Sequence, residues 1–414
     1  MAVSVKGGLT LSWLTDSVKE FFRKGDLLLL SLCLAASGFG LVLIYSATRW
    51  LDTNKNIVIQ SAGIVLGVFV YMVMSSVDIE LFTERSWKFL LAFNVLFILA
   101  LLSPWGTGAE TTGNRSWLAP PFLPFNLQPA EIVKLPFVLL MAWQSVRLQE
   151  RGTIRRLSGV FQLGFHTVFM CALIAVISHD FGMVLTYLFL FVVMAWTAGV
   201  RKRWFALGGL LAVGGVGGVA LAFTQVESLR AKYGYIFLRF TVVIDHILGN
   251  PDTIYEQTMG KGWQQTRSIL AIGSGGLTGQ GFLQGIQTQS PYKSSLPARY
   301  TDEIFAVCGE EFGLVGCCLL LLLLAAIILR CVWVARRARS HQSALIAMGF
   351  AGMLLIQVGV NVGMCLYVFP VVGLTLPFIS YGGTSIVTMF AAMGIVSSIK
   401  MRSLPSWLRD RSQI

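Results

Sequence analysis

Charge is what this sequence most lacks. Of its 414 residues only 13% are Asp, Glu, Lys or Arg, against 55% hydrophobic, where a soluble domain carries about a quarter charged. A soluble globular fold is thereby excluded, and apolar runs near the ~20 residues that cross a bilayer recur along the chain. Histidine is scarce too: His166, His179, His246 and His341 show no metal-ligand spacing. The seven cysteines, Cys33, Cys171, Cys308, Cys317, Cys318, Cys331 and Cys365, lie in apolar segments, form no C-x-x-C pair and are odd in number. They read as small hydrophobes inside spans rather than as a disulfide framework or a metal site. No cleavable signal sequence and no sequence repeat at a fixed period is visible, and the one Gly-rich run lacks the G-K-[ST] ending of a P-loop.

What is present is a polytopic, all-α membrane pattern. Ten spans are expected, at 27–47, 57–76, 86–103, 132–147, 160–178, 181–199, 204–224, 303–334, 343–368 and 376–399. The net charge of +12 reads as topology, because Lys and Arg collect on the cytoplasmic side. Arg85 and Lys88, Arg147 to Arg156, Arg201 to Arg203, Arg330 to Arg339 and both tails carry most of the basic residues. Both termini are therefore expected in the cytoplasm, which an even number of spans satisfies. The chain divides into a cytoplasmic amphipathic segment (1–26, with Leu11, Leu14, Val18, Phe21 and Phe22 at helical spacing), spans one to seven (27–224), a large extracytoplasmic loop (225–302), spans eight to ten (303–400) and a cytoplasmic tail (401–414). All form one integral membrane domain. The long loop is expected to be partly helical and folded over the outer face.

Polar groups inside a membrane are costly and so are functional candidates. Asp302 precedes an apolar helix, where it could equally cap the first turn; Glu303 would sit favourably in that turn. Glu310 and Glu311 lie two turns deeper, beyond the reach of capping, and need a buried partner or a water-filled cavity. In NLQPAEIVKL (126–135), Glu131 and Lys134 share a helix face and make either a simple ion pair or part of a site. Asp180 in SHDFG reads first as a turn or cap residue. The run PFISYGGTS (377–385) interrupts the last apolar region, as a packing kink or as the broken helix of a substrate site. These groups outline the periphery of one outward-facing cavity for a polar, membrane-embedded substrate.

The same stretches resemble the SEDS family (shape, elongation, division and sporulation; the RodA, FtsW and SpoVE proteins) over nearly the whole chain. NLQPAEIVKL resembles the family's Q-P-[AS]-E-x-x-K segment, and QTRSILAIGSGGLTGQGF its Q-S-L-x-A-I-G-S-G-G loop. TDEIFAVCGEEFG resembles T-D-F-I-F-A-x-x-G-E-E-x-G, and GLTLPFISYGGTS the G-[ILV]-x-L-P-F-[IV]-S-Y-G-G-[ST]-S motif. The resemblance implies a peptidoglycan glycosyltransferase that polymerises lipid II, the undecaprenyl-pyrophosphoryl disaccharide pentapeptide, on the outer face of the cytoplasmic membrane with a class B penicillin-binding protein. It implies Asp302 as the catalytic base. Substrate-binding or cavity positions would be Arg115, Trp117, Glu131, Lys134, Asp180, Gln264, Arg267, Ser274, Gly275, Gly276, Ser380, Tyr381, Gly382 and Gly383, with Glu310 and Glu311 a structural acidic pair. The pyrophosphate needs positive charge from Lys134, a loop arginine or a divalent cation such as Mg2+ or Mn2+.

Three stretches depart from the family pattern. The G-x-x-R-W element becomes GNRSW (113–117), Y-Q-x-x-Q-S becomes WQQTRS (263–268), and Q-P-D-[LF]-G-T becomes SHDFGM (178–183), which leaves the roles of Arg115 and Arg267 open. A lipid II flippase and a non-catalytic scaffold of the wall-synthesis complex are the competing classes. A carboxylate confined to the outer surface favours the enzyme.

Overall fold

A computed structural model describes residues 24–51, 54–108, 114–121, 126–225, 227–292 and 295–403; the expected amphipathic segment before residue 24 and the tail from 404 lie outside them. The described chain is predominantly helical, with one small hairpin. Its helices are α1 (Leu27–Thr48), α2 (Lys55–Ser76), α3 (Ile79–Leu99), the single turn α4 (Pro129–Ile132), α5 (Lys134–Glu150), α6 (Leu157–Leu173), α7 (Phe181–Thr197), α8 (Lys202–Gln225), α9 (Glu227–Leu248), α10 (Ile254–Thr258), α11 (Trp263–Gly275), α12 (Ile304–Arg336), α13 (His341–Cys365) and α14 (Gly383–Met401). Strands β1 (Gly106–Thr107) and β2 (Trp117–Leu118) pair antiparallel between α3 and α4.

Among the described residues, seven helices are long and apolar enough to cross a membrane: Leu27–Leu51, Lys55–Ser76, Ile79–Leu102, Leu157–Ser178, Ile304–Arg336, His341–Cys365 and Gly383–Met401. They match seven of the ten expected spans. The three others form helices of different character. α5 is enclosed by its neighbours, with Pro136 to Ala142 all buried, so it tolerates polar residues that lipid would reject. α7 is apolar but has 17 residues, about 25 Å at 1.5 Å per residue. α8 opens on charge and carries three Gly-Gly pairs, at 208–209, 214–215 and 217–218.

Boundaries moved where charge or caps misled the hydropathy reading. Span three begins at Ile79, not 86, because Asp78 caps the helix by accepting from Leu81 N at 3.2 Å while Glu80, Glu84 and Arg85 depress its apolar signal. The last helix begins at Gly383, not 376, since residues 369–382 form no helix. The expected loop 225–302 contains α9, α10 and α11; the end of α9 docks through Val242 and Val243 on Tyr367, whose ring stacks on His246 at 3.9 Å.

α14 is the central element, packed along α2 on glycines. A Cβ at Gly63 would lie 2.8 Å from Ile386 Cγ2, and one at Gly67 would lie 2.6 Å from Phe390 Cδ2. This is the small-xxx-small approach that membrane helices use in place of a hydrophobic driving force. At one end of this core Asp26, 1% exposed, joins four helices. It caps α1 through Leu29 N (3.2 Å), takes a bidentate pair from Arg330 of α12 (2.9 Å twice), and holds Tyr71 of α2 and Ser397 of α14 through its main chain.

Candidate active site

The site forms at the opposite end of α12, where the chain enters that helix. Asp302 is half-buried, and its three-residue approach is fixed through consecutive carbonyls. Tyr300 O accepts from Tyr381 N at 2.9 Å, Thr301 O from Ser380 Oγ at 2.6 Å, and Asp302 O from Asn361 Nδ2 at 2.8 Å. The donors come from the interrupted PFISYGGTS run and from α13. Ser380 Oγ also accepts from Leu376 N at 2.8 Å, and the rings of Tyr300 and Tyr381 meet edge to face at 5.8 Å. The interrupted run thus holds the chain on which Asp302 sits, and the Asp302 main chain is pinned.

The Asp302 carboxylate is left free. It accepts no hydrogen bond from any described residue, and the first turn of α12 has Glu303 as its N-cap with no side-chain cap bond. Capping, the bland sequence reading of Asp302, is therefore not what the side chain does. Loss of water raises its pKa to about 6, and the negative charge of Asp180 adds to the shift. Glu303 turns away from the helix into α11, where Gln264 Nε2 donates to it at 3.1 Å.

Asp180 does cap its helix, as the sequence suggested: Oδ1 accepts from Met183 N at 3.0 Å and Oδ2 from Gln128 Nε2 at 3.2 Å. Its pKa is also pushed up to about 6, mainly by burial. Through Gln128 it reaches the NLQPAEIVKL segment, and Thr384 Oγ1 donates to Asn126 O at 2.8 Å from the first turn of α14. Gly182 lies against Val372 O and Leu374, and Asn361 donates to Leu374 O at 2.7 Å. A ring of contacts consequently joins the starts of α4, α7, α12 and α14 around Asp302 and Asp180.

Glu131 and Lys134 form an ion pair at 2.8 Å, both buried, across the junction of α4 and α5. Lys134 is wholly enclosed. Arg267 is half-buried one turn beyond Gln264 on the same face of α11, with no carboxylate in ion-pair range among the described residues. Arg115 donates to Ser103 O at 3.0 Å, beside the hairpin that carries Trp117.

The Gly-rich stretch has a packing role. Helix α12 breaks at Gly313 (φ 66°, ψ −161°), and the loop takes up the hydrogen bonds the break releases. Leu314 N and Val315 N donate to Gly276 O and Leu277 O, while Gln280 N and Gly281 N donate to Glu310 O and Glu311 O. A Cβ on Gly275 would lie 1.9 Å from Gly309 O. Ser274 bonds within this turn, accepting from Gln280 Nε2 at 2.8 Å. Glu310 accepts from Gln287 N, Thr288 N and Thr288 Oγ1 at 2.6–2.8 Å, and Glu311 from Ser46 Oγ and Gln289 Nε2. The buried acids thus clamp the loop to α12 and α1 and do not line an open cavity.

Asn361 and Gln60 were missed by sequence reading. Gln60 of α2 donates to Ser380 O at 3.2 Å and accepts from Gly382 N at 3.0 Å, which sets the turn bearing Tyr381, Gly382 and Gly383. Arg299 was missed as well; it is buried, lies over the Trp50 ring and gathers the carbonyls of Gln287, Thr288, Ser290, Tyr292 and Leu296. The available signal was a neutral amide inside an apolar run (VGVNVGM, NIVIQSAG), as expensive in lipid as a hydroxyl and overlooked in a search for charge.

The sequence model of the cell cycle protein family, FtsW/RodA/SpoVE, matches residues 26–404. Stage V sporulation protein E of Bacillus subtilis is 31% identical over 388 residues, covering 91% of this chain and 97% of that relative. A probable peptidoglycan glycosyltransferase FtsW of Geobacter metallireducens is 31% identical over 396 residues, covering 93% and 97%. A chain of a solved peptidoglycan synthase complex, described for its coordination of polymerization and crosslinking, superposes with a TM-score of 0.69 at 26% identity and covers 91% of this chain and 97% of its own.

Proposed function

Because the chain belongs to the FtsW/RodA/SpoVE family of cell cycle proteins, we propose that it is a peptidoglycan glycosyltransferase polymerising lipid II, with Asp302 as its general base. The observation that carries the assignment of the base is a carboxylate that accepts no hydrogen bond from any described residue, on a pinned main chain. Asp302 would accept the proton of the acceptor's GlcNAc 4-hydroxyl while that oxygen attacks the anomeric carbon of the donor's MurNAc. The C–O bond to undecaprenyl pyrophosphate breaks, and the leaving group carries the electron pair away. A pKa near 6 keeps the carboxylate ionised at neutral pH yet makes it a stronger base than an exposed aspartate.

Leaving-group charge calls for a cation. Arg267, unpaired and half-buried on the face of α11 that carries Gln264, is the better candidate. Lys134 is enclosed and already neutralised by Glu131, so its role is to fix the α4–α5 junction. Among the described residues no three His, Cys, Asp or Glu side chains converge to hold a metal ion, so these residues offer Mg2+ or Mn2+ no cage of their own.

The ten-span arrangement, with both termini cytoplasmic and the site facing outward, belongs to the same proposal. Asp302 and the cluster Arg330, Arg336 and Arg337 stand at opposite ends of α12, whose run from Leu314 to Arg336 beyond the break alone is about 35 Å long at roughly 1.5 Å per residue. If the arginines face the cytoplasm, Asp302 faces out. A class B penicillin-binding protein would supply the transpeptidase, in keeping with the synthase complex to which the chain is similar.

Polymerisation of purified lipid II by the wild type and by Asp302→Asn, each with a partner lacking its transpeptidase serine, tests the reading. Glycan strands from the wild type alone are expected. Equal strands from both would send the search for the base elsewhere. No strands from either, with lipid II and partner still bound, would favour a flippase or a scaffold.

A further inference from the structure

Resting on the polymerase reading, the geometry points to Asn361 as a positioning residue for the base, with Ser380 and Gln60 completing a device that fixes the Asp302 main chain and leaves its carboxylate unoccupied. None of the three was assigned such a role by its type or spacing.

Three facts carry this. The carbonyls of Tyr300 and Thr301 each receive one donor, Tyr381 N and Ser380 Oγ, and that of Asp302 receives Asn361 Nδ2 at 2.8 Å together with the weaker Cys365 Sγ at 3.7 Å. Asn361 is fully buried in α13 and spends its amide group on two carbonyls, Asp302 O at 2.8 Å and Leu374 O at 2.7 Å. It thereby ties the residue that bears the base to the strand of chain opposite. That opposite strand is where the carboxylate looks: a Cβ on Gly373 would come 3.9 Å from Asp302 Oδ2, and Gly373 sits at φ 71°, a conformation that favours glycine. Gln60, also buried, locks the other donor in place by bridging Ser380 O and Gly382 N.

A general base must hold its oxygen within hydrogen-bond reach of one hydroxyl, and small misplacements cost rate steeply. A hydrogen bond donated to the Asp302 carboxylate would lower its basicity and take up one of its acceptor sites. Steadying it through the main chain avoids both losses. Asn361 would therefore act on turnover through Asp302 without touching substrate.

The experiment measures kcat and KM for lipid II polymerisation by the wild type, Asp302→Asn, Asn361→Leu, Ser380→Ala and Ser380→Thr, in each case with the partner present and per folded molecule. Strands from the wild type and none from Asp302→Asn secure the underlying reading first; if the wild type makes none, that reading and this inference fall together. With it secured, Asn361→Leu is expected to lower kcat by about 10- to 100-fold with KM within about twofold of wild type. Ser380→Ala is expected to lower kcat less, by roughly 10-fold, and Ser380→Thr, which keeps the hydroxyl, to recover most of it. A folded Asn361→Leu with wild-type kcat overturns the inference, as does a loss that appears in KM alone. If Asn361→Leu does not fold, the Ser380 pair decides: equal kcat in Ala and Thr variants overturns it.

Discussion

At the level of single residues, the pair Asp302 and Asp180 sets the pH behaviour. Both have pKa values raised to about 6 by burial, and the proposed base is the ionised Asp302. Polymerisation should fall as pH drops through about 6. Asp180→Asn keeps a good helix cap but removes the negative neighbour that lifts Asp302, so the acid limb of the kcat profile should move to lower pH. An unchanged limb would mean that the two carboxylates do not interact. The linkage sign gives a second prediction. A carboxyl whose folded pKa is raised binds its proton more tightly when folded, so its contribution to stability is present below the unfolded value near 4 and is lost as pH rises through about 6. At pH 7 the ionised Asp302 burdens the fold. Asp302→Asn should melt at a higher temperature than wild type at pH 7, with the gap closing below pH 4, while losing polymerisation.

Among the elements, α12 is defined by its break. Gly313 occupies φ 66°, and the Gly275–Gly309 contact leaves no room for a side chain. Gly275→Val must push α11 from α12 and strip Leu314 and Val315 of their acceptors, at a cost of about 2–4 kcal/mol from strain and unpaired amides. Thermal unfolding in detergent should show this loss. Glu310→Gln, which keeps acceptor capacity on one oxygen only, should lower stability more than turnover per folded molecule.

How much of this was legible follows from what each signal measures. Hydropathy found α1, α2, α6, α12 and α13 because lipid contact demands apolar residues. It also placed α5, expected at 132–147 and found at Lys134–Glu150, although the environment of that helix is protein. It started the last helix too early, since Leu376, Pro377, Phe378 and Ile379 are apolar yet irregular, with Leu376 N donating to Ser380 Oγ and Leu376 O accepting from Ile379 N and Ser380 N. The candidates Asp302, Asp180, Ser380 and Tyr381 were visible as polar groups where lipid forbids them. Asn361 and Gln60 were not, because the value of a neutral amide lies in which distant carbonyls it meets, and no local pattern encodes that.

For the molecule as a whole, the end far from the site is held by Asp26. Its side chain is buried with a bidentate Arg330. Removing one partner strands the other charge, so Arg330→Ala should cost about 3–5 kcal/mol, whereas Asp26→Asn combined with Arg330→Met should cost much less. Melting temperatures of the three proteins test this. Greater loss in the double variant would show the pair to be favourable in itself.

The three carbonyls before α12 also have a bearing on biogenesis. Their donors, Asn361, Ser380 and Tyr381, all follow Asp302 in the chain, by 59 to 79 residues in the side-chain bonds. A ribosome-bound nascent chain emerging N-terminus first would have Asp302, the proposed base, inserted before anything exists to hold it. Such a chain should remain unable to join sugars until the final helix leaves the translocon, which keeps half-made protein from consuming lipid-linked precursor.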